Sequence, residues 1–235
     1  MNALCYLLGL PGFALLAASP AHAREAPGPG ETAPVEIELT MTAASDYRFR
    51  GVSLTNQKPA LQVELSAAHE TGLYVAFFGS NVASNGGAGL EADFGIGYAV
   101  QAGPIAIEIS AMHYMYPGSG QDNYTELSGR LSTNAGPLEL GLTAAYAPPQ
   151  DALGRQDNRY FSLDAKLPIE HTPVSLTGSV GIEDGAFAAA KRDWSLGVQA
   201  DCERFAFGIS YVDTARSGGD QNAAAGLVLS MSAAF

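Results

Sequence analysis

From Val35 to the carboxyl terminus, apolar and polar residues alternate with a period of two. Leu90, Ala92, Phe94, Ile96, Tyr98 and Val100 share one parity, and Glu91, Asp93, Gly95, Gly97 and Gln101 share the other. Val35, Ile37, Leu39 and Met41 are set against Glu36, Glu38, Thr40 and Thr42 in the same way. Near the end, Leu227, Leu229, Met231, Ala233 and Phe235 oppose Gly226, Val228, Ser230, Ser232 and Ala234. Successive side chains of a strand point to opposite faces, so each run predicts a strand with one apolar face and one polar or small face. Turn formers divide the chain into twelve such runs, at about 35–49, 59–69, 72–82, 89–101, 104–116, 122–133, 137–147, 158–168, 173–183, 192–202, 204–214 and 223–235. The third is ambiguous, because Phe77 and Phe78 are adjacent.

The connections alternate as well. Long polar links occupy 50–58, 83–88, 117–121, 148–157, 184–191 and 215–222, while the intervening links at 70–71, 102–103, 134–136, 169–172 and 203 are short. Long loops at one end and tight turns at the other are the pattern of an outer-membrane barrel. A soluble sandwich has no reason to sort its loops by parity. The expected fold is therefore all-β: a single closed antiparallel transmembrane barrel of about twelve strands over residues 35–235. Tyr47, Phe49, Tyr114, Tyr116, Tyr124, Tyr146, Tyr160, Phe161, Trp194 and Tyr211 fall near one set of strand ends, with Phe205 and Phe235 at the other. They are expected to form two interfacial girdles.

The amino terminus predicts export. Residues 3–18 are apolar, and Ala21-His22-Ala23 offers a small-x-small cleavage site, so 1–23 reads as a signal peptide, although its n-region lacks Lys and Arg. Residues 24–34 read as a disordered periplasmic leader. Loss of Cys5 with the signal leaves Cys202 as the single mature cysteine, which excludes an intramolecular disulfide. The terminal Phe235 is the expected signal to the barrel-assembly machinery. Outer-membrane lipid and lipopolysaccharide are the expected surroundings, and a monomer or a trimer fits equally.

Composition sharpens the picture in one respect. Twenty-four acids against 12 bases give a net charge of −12, which makes nucleic acid an improbable partner. If the apolar parity faces lipid, the lumen carries Glu36, Glu38, Asp46, Glu64, Glu91, Asp93, Glu108, Glu126, Glu139, Asp164, Glu183 and Asp201. Only Arg48, Arg50, Arg130 and Lys166 are basic on that parity. An acidic wall attracts cations. Asp46, Arg48, Arg50, Glu91, Asp93, Glu108, Glu126 and Arg130 are the candidate lumen and selectivity residues, with Arg48 and Arg50 the candidate eyelet. Twelve strands predict a backbone diameter of roughly 24 Å and an opening of roughly 10 Å, unless 50–58 folds inward.

The segment Ser45-Asp46-Tyr47-Arg48-Phe49-Arg50-Gly51-Val52-Ser53-Leu54-Thr55, continuing to Pro59-Ala60-Leu61-Gln62, resembles the signature of the TorF family of porin-like outer-membrane proteins. Gly72-Leu73-Tyr74-Val75-Ala76, Gly79-Ser80-Asn81-Val82, Glu91-x-Asp93, Gly97-Tyr98, Tyr114-x-Tyr116-Pro117-Gly118, Asn123-Tyr124-x-Glu126 and Leu229-Ser230-x-Ser232-x-x-Phe235 extend the similarity. It fades between Pro148 and Lys191. The resemblance implies an outer-membrane channel and supplies neither a substrate nor catalytic residues.

No enzymatic pattern is expected. Ser84-Asn85-Gly86 has no preceding histidine of the kind a barrel lipase needs, and His113 is the only histidine near that rim. Scattered histidines and one cysteine give no zinc spacing, so no metal and no cofactor are expected. The function expected is passive diffusion of ions and small polar solutes, with cations preferred. A non-conducting structural or adhesion barrel is the alternative.

Overall fold

The computed structural model of the chain describes residues 35–85, 88–119, 122–216 and 218–235. The signal peptide and leader expected over 1–34 lie outside the described residues, as does Gly86 of the Ser84-Asn85-Gly86 loop. In chain order the strands are β1 (Val35–Ala44), β2 (Arg48–Phe49), β3 (Val52–Ser53), β4 (Ala60–His69), β5 (Leu73–Asn85), β6 (Ala88–Ala102) and β7 (Ile105–Tyr114). They continue with β8 (Tyr124–Ala135), β9 (Leu138–Ala147), β10 (Asn158–Pro168), β11 (Val174–Gly185), β12 (Lys191–Cys202), β13 (Phe205–Ala215) and β14 (Gly226–Ala234).

β1 and β4–β14 form one closed antiparallel barrel of twelve strands, each paired with its sequence neighbours. Closure comes from β1 on β14, with Thr40 opposite Ala234 and Ala44 opposite Ser230. Phe235 completes the seam: its N–H donates to Leu39 O at 2.9 Å, and Leu39 N–H returns a bond to its carbonyl at 3.2 Å. With no open edge, every strand finds a partner on both sides, which a membrane-embedded sheet requires.

The parity decides which side chains face out. Leu61, Phe94, Ile96, Ile109, Leu127, Phe161, Val180, Leu196 and Leu229 are all exposed on the outer wall. Thr40, Ser66, Ser110, Thr177, Gln199 and Ser210 are enclosed. This inside-out arrangement suits a hydrocarbon exterior and a polar interior. The ambiguous pair resolves accordingly: Phe77 faces outward and Phe78 is buried within.

Two expectations need correction. The first strand does not run to Phe49. It stops at Ala44, and residues 46–55 leave the wall and turn into the lumen, where β2 and β3 make a separate two-stranded hairpin. The aromatic girdle expected at the long-loop end is also divided. Tyr146, Phe161, Trp194 and Tyr211 do face outward, whereas Tyr47, Tyr114 and Tyr124 are buried inside. Tyr114 and Tyr124 are enclosed because they share the parity of Ser110 and Glu126, not that of the apolar face, and Tyr47 because its segment leaves the wall.

Candidate functional site: a hairpin across the lumen

β2 and β3 pair Arg48 with Ser53 and Phe49 with Val52, leaving Arg50-Gly51 as a two-residue turn. Both turn residues have positive φ, 50° and 84°, the conformation of a type I′ turn. Glycine at 51 is required twice over. A Cβ there would enter Thr214 Cγ2 and approach Asp193 Cβ at 2.8 Å, so the turn is pressed against β12 and β13. The hairpin leaves the wall beside β1 and β4 and ends against β12 and β13.

Asp46 organises the hairpin's base. Its carboxylate accepts from Arg48 Nε at 2.7 Å, Ser53 Oγ at 2.5 Å and Thr55 Oγ1 at 3.0 Å. Arg48 also donates to Gly51 O at 3.1 Å. Tyr47 packs on Phe78, with ring centroids 5.7 Å apart, and Phe49 lies 5.9 Å from Tyr114. Tyr114 in turn stacks on Tyr124 at 4.5 Å.

Arg50 reaches the opposite wall. Nη2 donates to Glu126 Oε1 at 2.6 Å and Nη1 to Glu183 Oε1 at 3.0 Å. The guanidinium carbon lies 4.6 Å from the centroid of the Phe49 ring and 4.3 Å from that of Tyr160. Glu183 also accepts from Asn158 Nδ2 at 3.0 Å and pairs with Lys191 Nζ at 2.6 Å, and that ammonium bonds Arg50 O at 2.7 Å. The Arg50, Glu126, Glu183 and Lys191 side chains are each under a tenth exposed. Gly181 lets the Tyr160 ring lie flat on the wall, since a Cβ at 181 would meet that ring. Tyr160 Oη donates to Asp193 Oδ1 at 3.0 Å.

Below the hairpin is a cavity of about 600 Å³, reaching the short-turn end at Gln101, Pro104 and Asn134. Arg48, Arg50, Arg130 and Lys166 are the bases on its wall, and each sits in an ion pair: with Asp46, with Glu126 and Glu183, with Asp164 at 2.6 Å, and with Asp201 at 3.6 Å. Glu38, Glu64, Glu139 and Asp193 also line it and have no ion-pair partner among the described residues. Hydroxyls cover much of the remainder, in cross-strand pairs such as Thr42–Ser232, Ser110–Ser128 and Ser179–Ser195.

The sequence-derived candidates thus separate. Asp46, Arg48, Arg50 and Glu126 belong to the hairpin and its seat. Arg130 is on the cavity wall. Glu108 faces inward but is enclosed, accepting from Tyr74 Oη. Glu91 and Asp93 stand apart from the other candidates: at 1% and 0% exposure, they are sealed beside Tyr47 and Tyr116 and do not border the cavity. Tyr116 Oη donates to Glu91 at 2.8 Å and Met115 N–H to Asp93 at 3.2 Å. Lys191 and Asp193 were missed. The 184–191 link expected from the sequence takes in Lys191, yet this residue begins β12 on the inward parity, and Asp193 follows two residues later. Among the described residues, no three histidine, cysteine or acidic side chains converge where a metal ion could sit.

The family model described as "Bacterial protein of unknown function (Gcw_chp)" matches residues 29–230. No curated protein matches the sequence. Among solved structures the chain is similar in fold to the KdgM porin, with TM-score 0.60, 6% identity and coverage of 84% of this chain and 99% of that one. A further KdgM structure, in complex with disordered oligogalacturonate, has TM-score 0.59 and 7% identity, with 85% and 98% covered. The NanC porin gives TM-score 0.60 at 10% identity, with 85% and 99% covered. An outer membrane channel from Pseudomonas putida F1 gives 0.51 at 9%, with 90% and 100% covered.

Proposed function

For a chain that belongs to the Gcw_chp family of bacterial proteins of unknown function, we propose a porin-like channel of the bacterial outer membrane. It serves passive passage of ions and small polar solutes, prefers cations, and reaches the membrane by export and barrel assembly. One observation carries this reading: a closed wall, apolar outside, surrounds a cavity of about 600 Å³ lined by hydroxyls and carboxylates. Small polar solutes are the cargo such a lining accommodates. The similarity in fold to outer-membrane porins supports the same reading.

Cation preference follows from the residual charge. All four bases on the cavity wall are engaged, while four carboxylates stand without a base. Oligogalacturonate is a polyanion, and this lumen presents the opposite of what such a ligand needs. Planar-bilayer recording of the purified full chain tests both parts. Discrete conductance steps with a cation-selective reversal potential are expected. Anion selectivity would overturn the charge argument, and recovery of the protein without detergent, with no heat-modifiable gel shift, would overturn the barrel in the membrane.

The seating of the hairpin favours a second reading, a barrel closed at rest. Tyr47, Phe49, Leu153 and the Tyr114–Tyr124 stack fill the long-loop end, so a steady open bore of roughly 10 Å is not what the geometry supports. On this reading, conductance is low until the hairpin moves.

A further inference from the structure

The seat that holds Arg50 is built almost wholly by the barrel wall. Glu126 comes from β8, Tyr160 from β10, Glu183 from β11, and Lys191 and Asp193 from β12. Only Phe49 of the surrounding groups travels with the hairpin. Without Arg50, three carboxylates would face one ammonium in a place where each side chain is nearly excluded from water. Such an imbalance is costly in a low dielectric, so the seat demands a cation.

Its shape is more particular than its charge. Two carboxylates accept from different nitrogens of one guanidinium, and an aromatic face lies against the plane, with a second supplied by the hairpin. A planar cation with several donors satisfies all of these contacts at once, and a compact ammonium does not. Acceptors also remain unused: Glu126 Oε2 and Asp193 Oδ2 are buried without a hydrogen-bond partner among the described residues. Glu126, Tyr160 and Asp193 all border the cavity, so a solute entering from the short-turn end meets the seat directly.

We propose that the seat formed by Glu126, Glu183, Tyr160 and Asp193 is a binding site for guanidinium-bearing solutes, which Arg50 occupies as a built-in competitor. A solute that takes the seat frees the hairpin and opens the barrel. The gating half rests on the channel reading above; the binding half does not.

The probe is methylguanidinium chloride, titrated calorimetrically into the detergent-solubilised full chain, with folding confirmed by heat-modifiable migration. Two variants empty the seat by different routes. Arg50→Ala removes the competitor, and Gly51→Ala unseats the turn through the clash at Thr214 and Asp193 while keeping Arg50. Both should bind methylguanidinium at least tenfold more tightly than the unmodified chain. Adding Glu126→Gln to either should abolish the gain, and methylammonium should bind at least tenfold more weakly. Should only one variant fold, its comparison with the unmodified chain is decisive. No gain in affinity, or a gain that survives Glu126→Gln, would overturn the site. Equal affinity for methylammonium would overturn its assignment to planar cations. Bilayer recording in parallel reads the gating half: absence of conductance in every variant sinks the channel reading and leaves the binding result standing.

Discussion

Arg48 Nη1 in the inner hairpin donates to Ala224 O in the last long loop at 2.6 Å, joining positions 176 residues apart. The same side chain holds Asp46 and Gly51 O, so one residue fixes the base of the hairpin, its turn and the loop above it. The last long loop therefore restrains the hairpin through Arg48, and the wall restrains its tip through Arg50.

Replacing Arg48 with Met should loosen this segment. Asp46, 4% exposed, would keep only hydroxyl donors, and removing one member of a buried ion pair costs about 3–5 kcal/mol. Trypsin should then cut after Arg50, a site that is enclosed in the unmodified chain. Fragment masses from limited proteolysis of the folded barrel check this. Continued resistance at Arg50 would show that Arg48 does not hold the hairpin.

Glu183 is the most connected acid of the seat, accepting from Arg50, Asn158 and Lys191. Glu183→Ala leaves two cations near each other with Glu126 as the remaining ion-pair partner. Equilibrium urea unfolding in lipid vesicles should show a loss of about 3–5 kcal/mol. Glu183→Gln should cost less, because its amide oxygen still accepts from one of the two cations, which bond different carboxylate oxygens in the unmodified chain.

Much of the barrel was legible in the sequence because one physical rule sets it. Strict alternation fixes the facing of Leu227 to Phe235, and loop lengths sorted by parity fix which ends are turns. The inner hairpin was hidden by that same rule. Tyr47, Arg48 and Phe49 continue the alternation of β1 and are indeed extended, but sequence alternation does not say which partner an extended segment pairs with. The Arg50-Gly51 turn is the available signal, and it lies inside the most specific block of the TorF resemblance. The facing of these aromatics is legible in the sequence. Tyr114, Tyr124 and Tyr160 all carry the parity of the inward carboxylates in their own strands, and parity outweighs proximity to a strand end. Lys191 falls one residue outside the 192–202 run, whereas Asp193 lies within it on the parity of Asp201 and is legible there. The burial of Glu91 and Asp93 could not be read at all, since it depends on where Tyr47 and Tyr116 pack.

The facing of β14 gives a depth test. Leu229 is 55% exposed on the outer wall, whereas Ser230 lines the cavity. Leu229→Arg should cost about 2–4 kcal/mol if the residue lies near the bilayer midplane, and Ser230→Arg much less. Urea titrations in vesicles compare the two. Equal costs would contradict the outward and inward assignment.

Phe235 bonds Leu39 only through its backbone, and the residue is 62% exposed, with the Arg204 guanidinium carbon 5.7 Å from its ring centroid. Phe235→Ala keeps both seam hydrogen bonds, so the folded barrel should unfold at nearly the same urea concentration as the unmodified chain. Its yield in the outer membrane at native expression should fall severalfold, because an exposed terminal aromatic is of use to the assembly machinery, not to the fold. An unchanged yield would remove Phe235 as an assembly signal.

Selectivity discriminates between carboxylates that face the cavity and those that do not. Glu38, Glu64 and Glu139 border it without ion pairs, while Glu91 and Asp93 are sealed behind Tyr47 and Tyr116. Glu38→Gln with Glu64→Gln and Glu139→Gln should therefore reduce cation preference, read as a smaller reversal potential in a potassium chloride gradient. Glu91→Gln with Asp93→Asn should leave it unchanged, although all five residues share the inward parity of their strands. Charges in a water-filled cavity are screened, and the Debye length falls from about 30 Å at 0.01 M to about 3 Å at 1 M. The difference between the triple variant and the unmodified chain should accordingly shrink as salt rises. Recordings made on the Arg50→Ala background keep the comparison possible when the hairpin holds the barrel shut. A selectivity change from Glu91 and Asp93 instead would mean that the hairpin and its tyrosines are displaced in the conducting state, exposing both acids to the bore.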